Sequence, residues 1–292
     1  MNARESSFHP SPSRPALRLP PGACDAHCHI FGPEARFPFD ARAPFVPGDA
    51  PKEKLFALHE MLGIERCVIV QSTCHGFDNA VVADAIAAKG GSYLGVALAP
   101  TTVTDDALRR LDAQGFRGLR FNFMKHLGAA TPVEPIVGLS PRLAELGWHL
   151  QVHFDSSLIG ELAPWLTRSS VPVVIDHMGR VDASLGLQQE PFQALLRLMD
   201  NPRMWVKVSG LDRLSRAGAP YTDAVPFARS LVERFGDRTL WGTDWPHPNT
   251  TTAPDDGVLT DALAQIAPAP AERLALLVDN PQRLYRFRAW TR

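Results

Sequence analysis

Eight short apolar segments, each rich in β-branched residues, alternate along this chain with segments of helical periodicity, and this alternation most restricts the possible fold. Strands that alternate with helices pair in parallel, because the chain must cross back over the sheet between successive strands. Eight such units predict an α/β protein with a (β/α)8 TIM barrel, and a doubly wound sheet is the alternative. The predicted strands are Cys24–Phe31, Arg66–Gln71, Tyr93–Ala97, Gly118–Phe123, Trp148–Phe154, Val171–His177, Met204–Ser209 and Thr239–Trp245.

The segments between the strands carry end signals typical of helices. Thr104 precedes Asp105 as a candidate N-cap, and Gly115 and Gly147 stand where left-handed C-caps belong. The predicted helices include Lys54–Leu62, Asn79–Lys89, Asp105–Gln114, Arg142–Leu146, Phe192–Met199 and Ala224–Phe235.

Prolines concentrate at the start of the chain, where ten of the 26 lie within residues 1–51. Proline removes a backbone donor and is excluded from helix interiors and central strands. We therefore predict that residues 1–20 form a flexible or surface-draped N-terminal arm and that residues 21–292 form a single barrel domain.

Charge and cysteine content restrict the partners. The chain has 30 basic and 31 acidic side chains, so it lacks the net positive charge that a general nucleic-acid or acidic-membrane binder needs. It contains four cysteines without a Cys-x-x-Cys pair, no export-signal pattern and no apolar run long enough to span a bilayer. These features predict a soluble, cytoplasmic protein that acts on a small molecule.

Two histidines stand on the first predicted strand. Side chains alternate along a strand, so His27 and His29 should share one face, with Cys24 and Cys28 on the other. A buried barrel strand would carry Val or Ile at such positions, which favours a functional pair over two unrelated histidines on a solvated strand.

Polar residues also end three other predicted strands. Asp244 is followed by Trp245 and not by a helical pattern, so a catalytic base is favoured over a helix N-cap. His177 ends the sixth strand near the same mouth. His153 ends the fifth, where a core histidine with satisfied hydrogen bonds is the alternative.

Three arginines point to an anionic ligand. Arg120 lies inside an otherwise apolar strand, where a guanidinium is costly without an anion. Arg180 and Arg213 follow strands six and seven. Protein carboxylates could pair with them, but three guanidiniums around one mouth favour a ligand with carboxylate groups.

Four strings together resemble the amidohydrolase superfamily and, more narrowly, its 2-pyrone-4,6-dicarboxylate lactonase branch. The resemblance runs from about residue 18 to about residue 287, and His-x-His alone would be a weak signal. The strings are Asp25-Ala26-His27-Cys28-His29-Ile30-Phe31-Gly32-Pro33, Arg120-Phe121-Asn122-Phe123, Ile175-Asp176-His177-Met178-Gly179-Arg180 and Trp241-Gly242-Thr243-Asp244-Trp245-Pro246-His247-Pro248-Asn249.

The resemblance implies a distorted barrel that hydrolyses a carboxylated lactone without a bound metal. It assigns water activation to Asp244. It assigns polarisation of the lactone carbonyl to three histidines and binding of the substrate carboxylates to three arginines: His27, His29, His177, Arg120, Arg180 and Arg213. The alternative is Zn²⁺ or another divalent metal held by the three histidines and Asp244, with hydroxide as nucleophile.

Some positions depart from the branch. Phe45 and His153 stand where the branch has tyrosines, and His126 stands where it has an arginine, so we expect the same reaction type on a related carboxylated lactone with fewer or differently placed acid groups. We expect these three side chains and His247 to line the substrate site. Two other functions remain open: a metal-dependent decarboxylase or C–C hydrolase, and a non-catalytic ligand-binding barrel.

Overall fold

The computed structural model describes residues 7–124, 132–250 and 252–288. Its eight strands are all parallel and follow one another around the sheet in chain order. Sequential order is that of a barrel and differs from the reversed order of a doubly wound sheet, so the predicted (β/α)8 fold is confirmed. The strands are β1 Cys24–Cys28, β2 Arg66–Val70, β3 Tyr93–Ala97, β4 Phe116–Asn122, β5 His149–His153, β6 Val173–Ile175, β7 Met204–Lys207 and β8 Thr239–Leu240.

The barrel closes between β1 and the segment that follows β8. The Ala26 amide donates to the Trp241 carbonyl over 2.8 Å, and the Asp244 amide donates to the His27 carbonyl over 2.8 Å. Gly242 lies at this junction, where an added Cβ would meet the His27 amide nitrogen and the Asp25 carboxylate. Closure therefore brings the end of β8 against the histidine strand and requires a residue without a side chain there.

Helices cover the outside of the barrel, and all six predicted helices are present with shifted ends. The prediction did not include Ile159–Leu166, because Gly160 and Pro164 lower its helix propensity. The α-helices of the described residues are α1 Lys52–Leu62, α2 Ala80–Ala87, α3 Asp105–Ala113, α4 Val133–Gly138, α5 Ser140–Leu146, α6 Ile159–Leu166, α7 Glu190–Met199, α8 Leu211–Leu214, α9 Val225–Phe235, α10 Asp256–Asp261, α11 Leu263–Ile266, α12 Pro270–Leu274 and α13 Asn280–Tyr285.

Several strands end earlier than the apolar runs predicted. Strand β8 has two residues, and β6 ends at Ile175, where the chain turns through left-handed backbone at His177 and Met178. The residues after both strands remain buried, so the apolar pattern continues beyond the strand itself. Hydrophobic patterning reports burial, and here burial extends into the irregular segments that form the barrel mouth.

Two apolar layers form the core. The larger lies between strands and helices, and the smaller comprises strand residues such as Val68 and Val96 together with Tyr285 and Phe287. Cys24 belongs to this inner cluster, although strict alternation placed it opposite His27. The reason is a register irregularity in β1 between Asp25 and Cys28, which shifts the alternation by one residue.

Residues 7–20 lie across the barrel surface. The Phe8 ring packs 5.3 Å from the Trp245 ring, and the Ser13 amide donates to the Asp255 carboxylate over 3.0 Å. No helix in the described part of the chain is both long enough and apolar enough to cross a membrane.

The buried carboxylate of Asp25 joins α1, β1 and the segment after β8. It accepts hydrogen bonds from the His27 amide at 2.9 Å and from the Thr243 amide and hydroxyl at 3.1 and 2.6 Å. Its Oδ2 also lies 3.1 Å from His59 Nε2 on α1. A buried polar group with these partners is costly to disturb, so Asp25 holds the barrel junction in place.

We expect Asp25→Asn to lower the free energy of unfolding by about 3 kcal/mol, because an amide oxygen that keeps the two backbone donors leaves the NH2 group facing the Thr243 hydroxyl and His59 Nε2, the partners of Oδ2. Urea denaturation followed by circular dichroism measures this change. The control is Asp237→Asn, whose side chain is 68% exposed and should change the value by less than about 0.5 kcal/mol. Equal effects of both variants would contradict the structural role of Asp25.

Candidate active site

Four predicted residues converge at the carboxyl ends of the strands. Asp244 Oδ1 lies 3.6 Å from His27 Nε2, 3.4 Å from His29 Nε2 and 3.6 Å from His177 Nε2. All four side chains are buried. Strands β1, β6 and β8 thus supply one compact centre, at the end of the barrel where barrel enzymes carry out their chemistry.

The other oxygen of Asp244 pairs with Arg213. Arg213 Nη2 and Nε lie 2.7 and 2.9 Å from Asp244 Oδ2, and its Nη1 donates to the Pro248 carbonyl over 2.7 Å. Burial by itself would raise the pKa of Asp244, but Arg213 and the histidines hold it well below its usual range. Asp244 is therefore a carboxylate at neutral pH. Arg213, predicted to bind substrate, has its donors directed at protein groups.

Hydrogen bonds define which nitrogen of His29 carries a proton. Its Nδ1 lies 2.7 Å from the Val70 carbonyl oxygen, which can only accept, so Nδ1 donates. The other ring nitrogen, Nε2, faces Asp244. His177 Nδ1 lies 3.1 Å from the Ser209 hydroxyl, which suits either tautomer.

A second buried carboxylate lies beneath the centre, and the sequence analysis did not assign it a role. Asp176 Oδ2 accepts from Arg120 Nε over 2.8 Å and from Gln151 Nε2 over 3.1 Å, and its Oδ1 lies 3.2 Å from His27 Nδ1. Lys207 Nζ lies 3.4 Å from the same Oδ1. Burial opposes ionisation, but these cationic neighbours hold the pKa of Asp176 well below its usual range.

Lys207, like Asp176, is a residue of the site that sequence reasoning missed. The available signal was a lysine inside the apolar strand Met204–Lys207, where a buried ammonium needs partners. Burial lowers the pKa of Lys207 to about 8, and Asp176 opposes this shift. Burial and Lys207 lower the pKa of His27 to about 3, so its ring is neutral at pH 7.

Arg180 is the arginine most available to a ligand. Among the described residues no hydrogen bond or ion pair of its guanidinium is found, whereas Arg120 pairs with Asp176 and Arg213 pairs with Asp244. Burial, followed by repulsion from Arg213, lowers the pKa of Arg180 to about 10, which still leaves it charged at pH 7. An anion beside Arg180 would relieve both effects.

A cavity opens onto this centre. Phe45 and His153 line it, and burial together with Arg120 holds the pKa of His153 well below its usual range, so this ring adds no charge. His247 does not line this cavity, and its Nε2 lies 3.1 Å from Asp256 instead. His126 lies outside the described residues. The other lining residues are His29, Ser72, Thr73, Arg120, His177, Arg180, Arg213, Asp244, Pro248 and Asn249.

The centre has the spacing of a metal site. Ligand atoms on one tetrahedral Zn²⁺ at ~2.1 Å lie roughly 3.4 Å apart, close to the 3.4–3.6 Å that separate Asp244 Oδ1 from the three Nε2 atoms. Among the described residues His27 Nε2 is buried without a hydrogen-bond partner. The ligand atoms of His27, His177 and Asp244 lie close enough together to hold a divalent ion, and His29 does not belong to this group.

A closed parallel barrel with a histidine–aspartate centre at its carboxyl end defines a class of barrel enzymes. The chain belongs to one family within that class: the profile of the amidohydrolase family matches residues 24–287.

Curated relatives and solved structures match this chain over almost its whole length. A 2-pyrone-4,6-dicarboxylate hydrolase of Comamonas testosteroni is 45% identical over 95% of this chain and 94% of its own length. A 4-sulfomuconolactone hydrolase of Rhizobium radiobacter is 41% identical, with 92% of each chain covered. A structure of a probable 2-pyrone-4,6-dicarboxylic acid hydrolase from Acinetobacter baumannii with citric acid bound has a TM-score of 0.81 at 28% identity and covers 91% of this chain and 100% of its own.

A zinc-bound amidohydrolase structure from Burkholderia multivorans shares the fold. It has a TM-score of 0.69 at 18% identity and covers 91% of this chain and 99% of its own. The zinc belongs to that protein, and the requirement of the present chain has to be argued from its own residues.

We expect Arg180→Met to weaken binding of malonate, used as a dicarboxylate probe, about tenfold or more, because a charge-assisted contact is worth about 1.5–3 kcal/mol. Isothermal titration calorimetry measures the affinity. The control is Arg168→Met, an exposed arginine that follows α6 at the opposite end of the barrel. Unchanged malonate affinity in Arg180→Met would show that Arg180 does not bind the anion.

Proposed function

We propose that this protein is a hydrolase that opens a carboxylated lactone, 2-pyrone-4,6-dicarboxylate or a related one, by attack of Asp244-activated water on the ring carbonyl. The observation that carries the proposal is the ionised, buried Asp244 held between three imidazoles and Arg213, beside an arginine that is open to a ligand anion. The lactone hydrolases among its relatives support the same substrate class.

In this proposal Asp244 and His29 hold the attacking water. Arg213 occupies Oδ2 of the carboxylate, so Oδ1 is the oxygen left to accept a proton. His29 Nε2 lies 3.4 Å from this oxygen, within reach of the same water. The water oxygen is then oriented towards the cavity, and the proton lost on attack passes to Asp244.

The carbonyl oxygen is assigned to histidine donors. His27 Nε2 has no hydrogen-bond partner among the described residues, and His177 lies beside it with the ring centroids 4.5 Å apart. A donor here would stabilise the oxyanion that forms when water adds to the carbonyl. Ring opening of a pyrone expels an enol, which is a better leaving group than an amide nitrogen and needs less assistance.

The substrate carboxylate is assigned to Arg180, with the Nη groups of Arg120 as a second contact. Phe45 supplies an apolar face and His153 a neutral ring. The resemblance implies that the branch has tyrosines at both positions. A lactone with fewer or differently placed acid groups than the pyrone dicarboxylate therefore suits this cavity.

We further propose that catalysis does not require a metal. A divalent ion, when bound, would supply an activated hydroxide and polarise the carbonyl. The centre already contains four cationic side chains beside three carboxylates, and the cationic groups weaken the attraction of a further positive ion. These residues are Lys207, Arg120, Arg180, Arg213, Asp176, Asp212 and Asp244.

The four free, buried cysteines support a reducing compartment, the cytoplasm.

The wild-type protein should open at least one of a panel of carboxylated lactones, with loss of the ultraviolet band of the conjugated ring as the readout. We expect Asp244→Asn to lower kcat by ~10²–10⁴-fold, because the base is lost. Calorimetry with malonate should show that this variant still binds a dicarboxylate. Near-normal turnover in Asp244→Asn would contradict the assigned base, and fast turnover of the pyrone dicarboxylate would contradict altered specificity.

Treatment with a chelator followed by metal analysis should leave lactone hydrolysis unchanged within twofold, because the charged side chains supply the electrostatic stabilisation. The same protein should release no carbon dioxide from a carboxylated substrate, which separates it from the metal-dependent decarboxylase. Activity that disappears with the metal and returns with added Zn²⁺ would favour the metal-dependent alternative.

A further inference from the structure

Lys207 contacts His27 from below and does not line the cavity. Its Nζ lies 3.0 Å from His27 Nδ1 and 2.9 Å from the side-chain oxygen of Gln151, and the lysine is fully buried on β7. Neither contact follows from strand alternation, because the three residues lie on β1, β5 and β7. The barrel interior brings them together.

The contact with Lys207 determines the proton position on His27. An ammonium group has donors only, so His27 Nδ1 must accept. Asp176 Oδ1 lies 3.2 Å from the same nitrogen, but within the described part of the chain this oxygen makes no hydrogen bond. A neutral imidazole whose Nδ1 accepts carries its proton on Nε2.

The opposite tautomer is the one that a metal would need. A metal takes the lone pair of one ring nitrogen, while the other nitrogen donates to a carboxylate or carbonyl. Asp176 lies beside His27 Nδ1 and is placed to accept a hydrogen bond from it. Lys207 prevents this hydrogen bond, because its ammonium group already donates to His27 Nδ1.

We propose that Lys207 is a positioning residue that holds His27 in the Nε2-protonated tautomer and so makes Nε2 of this histidine a hydrogen-bond donor in place of a metal ligand. The role in catalysis rests on the proposed function. The tautomer and its effect on metal affinity do not.

Nitrogen-15 NMR of histidine-labelled protein tests the tautomer directly. The His27 signals are those that disappear in His27→Gln. We expect Nε2 to be the protonated nitrogen in the wild type and Nδ1 to be protonated in Lys207→Met, where Asp176 becomes the partner. A wild-type spectrum with the proton on Nδ1 would overturn the proposal. This readout does not depend on Lys207→Met, so it decides even where that variant does not fold.

Calorimetry with Zn²⁺ tests the consequence. Lys207→Met should bind Zn²⁺ at least tenfold more tightly than the wild type, because the Nε2 lone pair becomes available. His149→Met places the same side chain in another buried position, on β5, and should stay within twofold of the wild type. Equal Zn²⁺ affinity in Lys207→Met and wild type would overturn the effect on metal binding. Failure to hydrolyse any lactone would contradict the proposed function and leave both of these readouts valid.

Discussion

The interaction between Asp244 and its cationic and imidazole partners is the one on which the site depends. A carboxylate buried at this position is costly unless both oxygens have partners, and here Arg213 binds one while three imidazoles surround the other. These partners come from β1 and from the segments after β6 and β7. The barrel must therefore close to within hydrogen-bond distance at its carboxyl end, and Gly242 and Asp25 make that closure possible.

The centre contains two buried carboxylates with different surroundings and different roles. Asp244 faces the cavity with its own guanidinium, and Asp176 lies beneath with Lys207 and Arg120. Each charge is neutralised by a neighbour that is fixed before a ligand arrives, so little reorganisation is needed during reaction. Arg180 is left to meet a ligand anion, and this division explains why three arginines at one mouth need not all bind substrate.

Backbone strain concentrates at the same place. His177, Met178, Arg180 and Asp244 all have positive φ angles between 47° and 64°. Each costs about 1 kcal/mol or more and persists only where the surrounding structure holds it. This backbone conformation turns the side chains of His177 and Asp244 towards one another and directs Arg180 at the cavity. It also explains why the predicted strands were too long at β6 and β8.

The sequence alone determined the barrel, because eight apolar runs that alternate with helical periodicity have few other solutions. It also pointed to the four central residues, because His27 and His29 share one face of the first run and His177 and Asp244 lie at or near the ends of two others. Tertiary structure decided what each does. Pairing of Arg213 with Asp244, of His247 with Asp256 and of Lys207 with His27 joins residues from 9 to 180 positions apart. Such contacts depend on register and strand twist around a closed barrel, which local patterns along the chain do not encode.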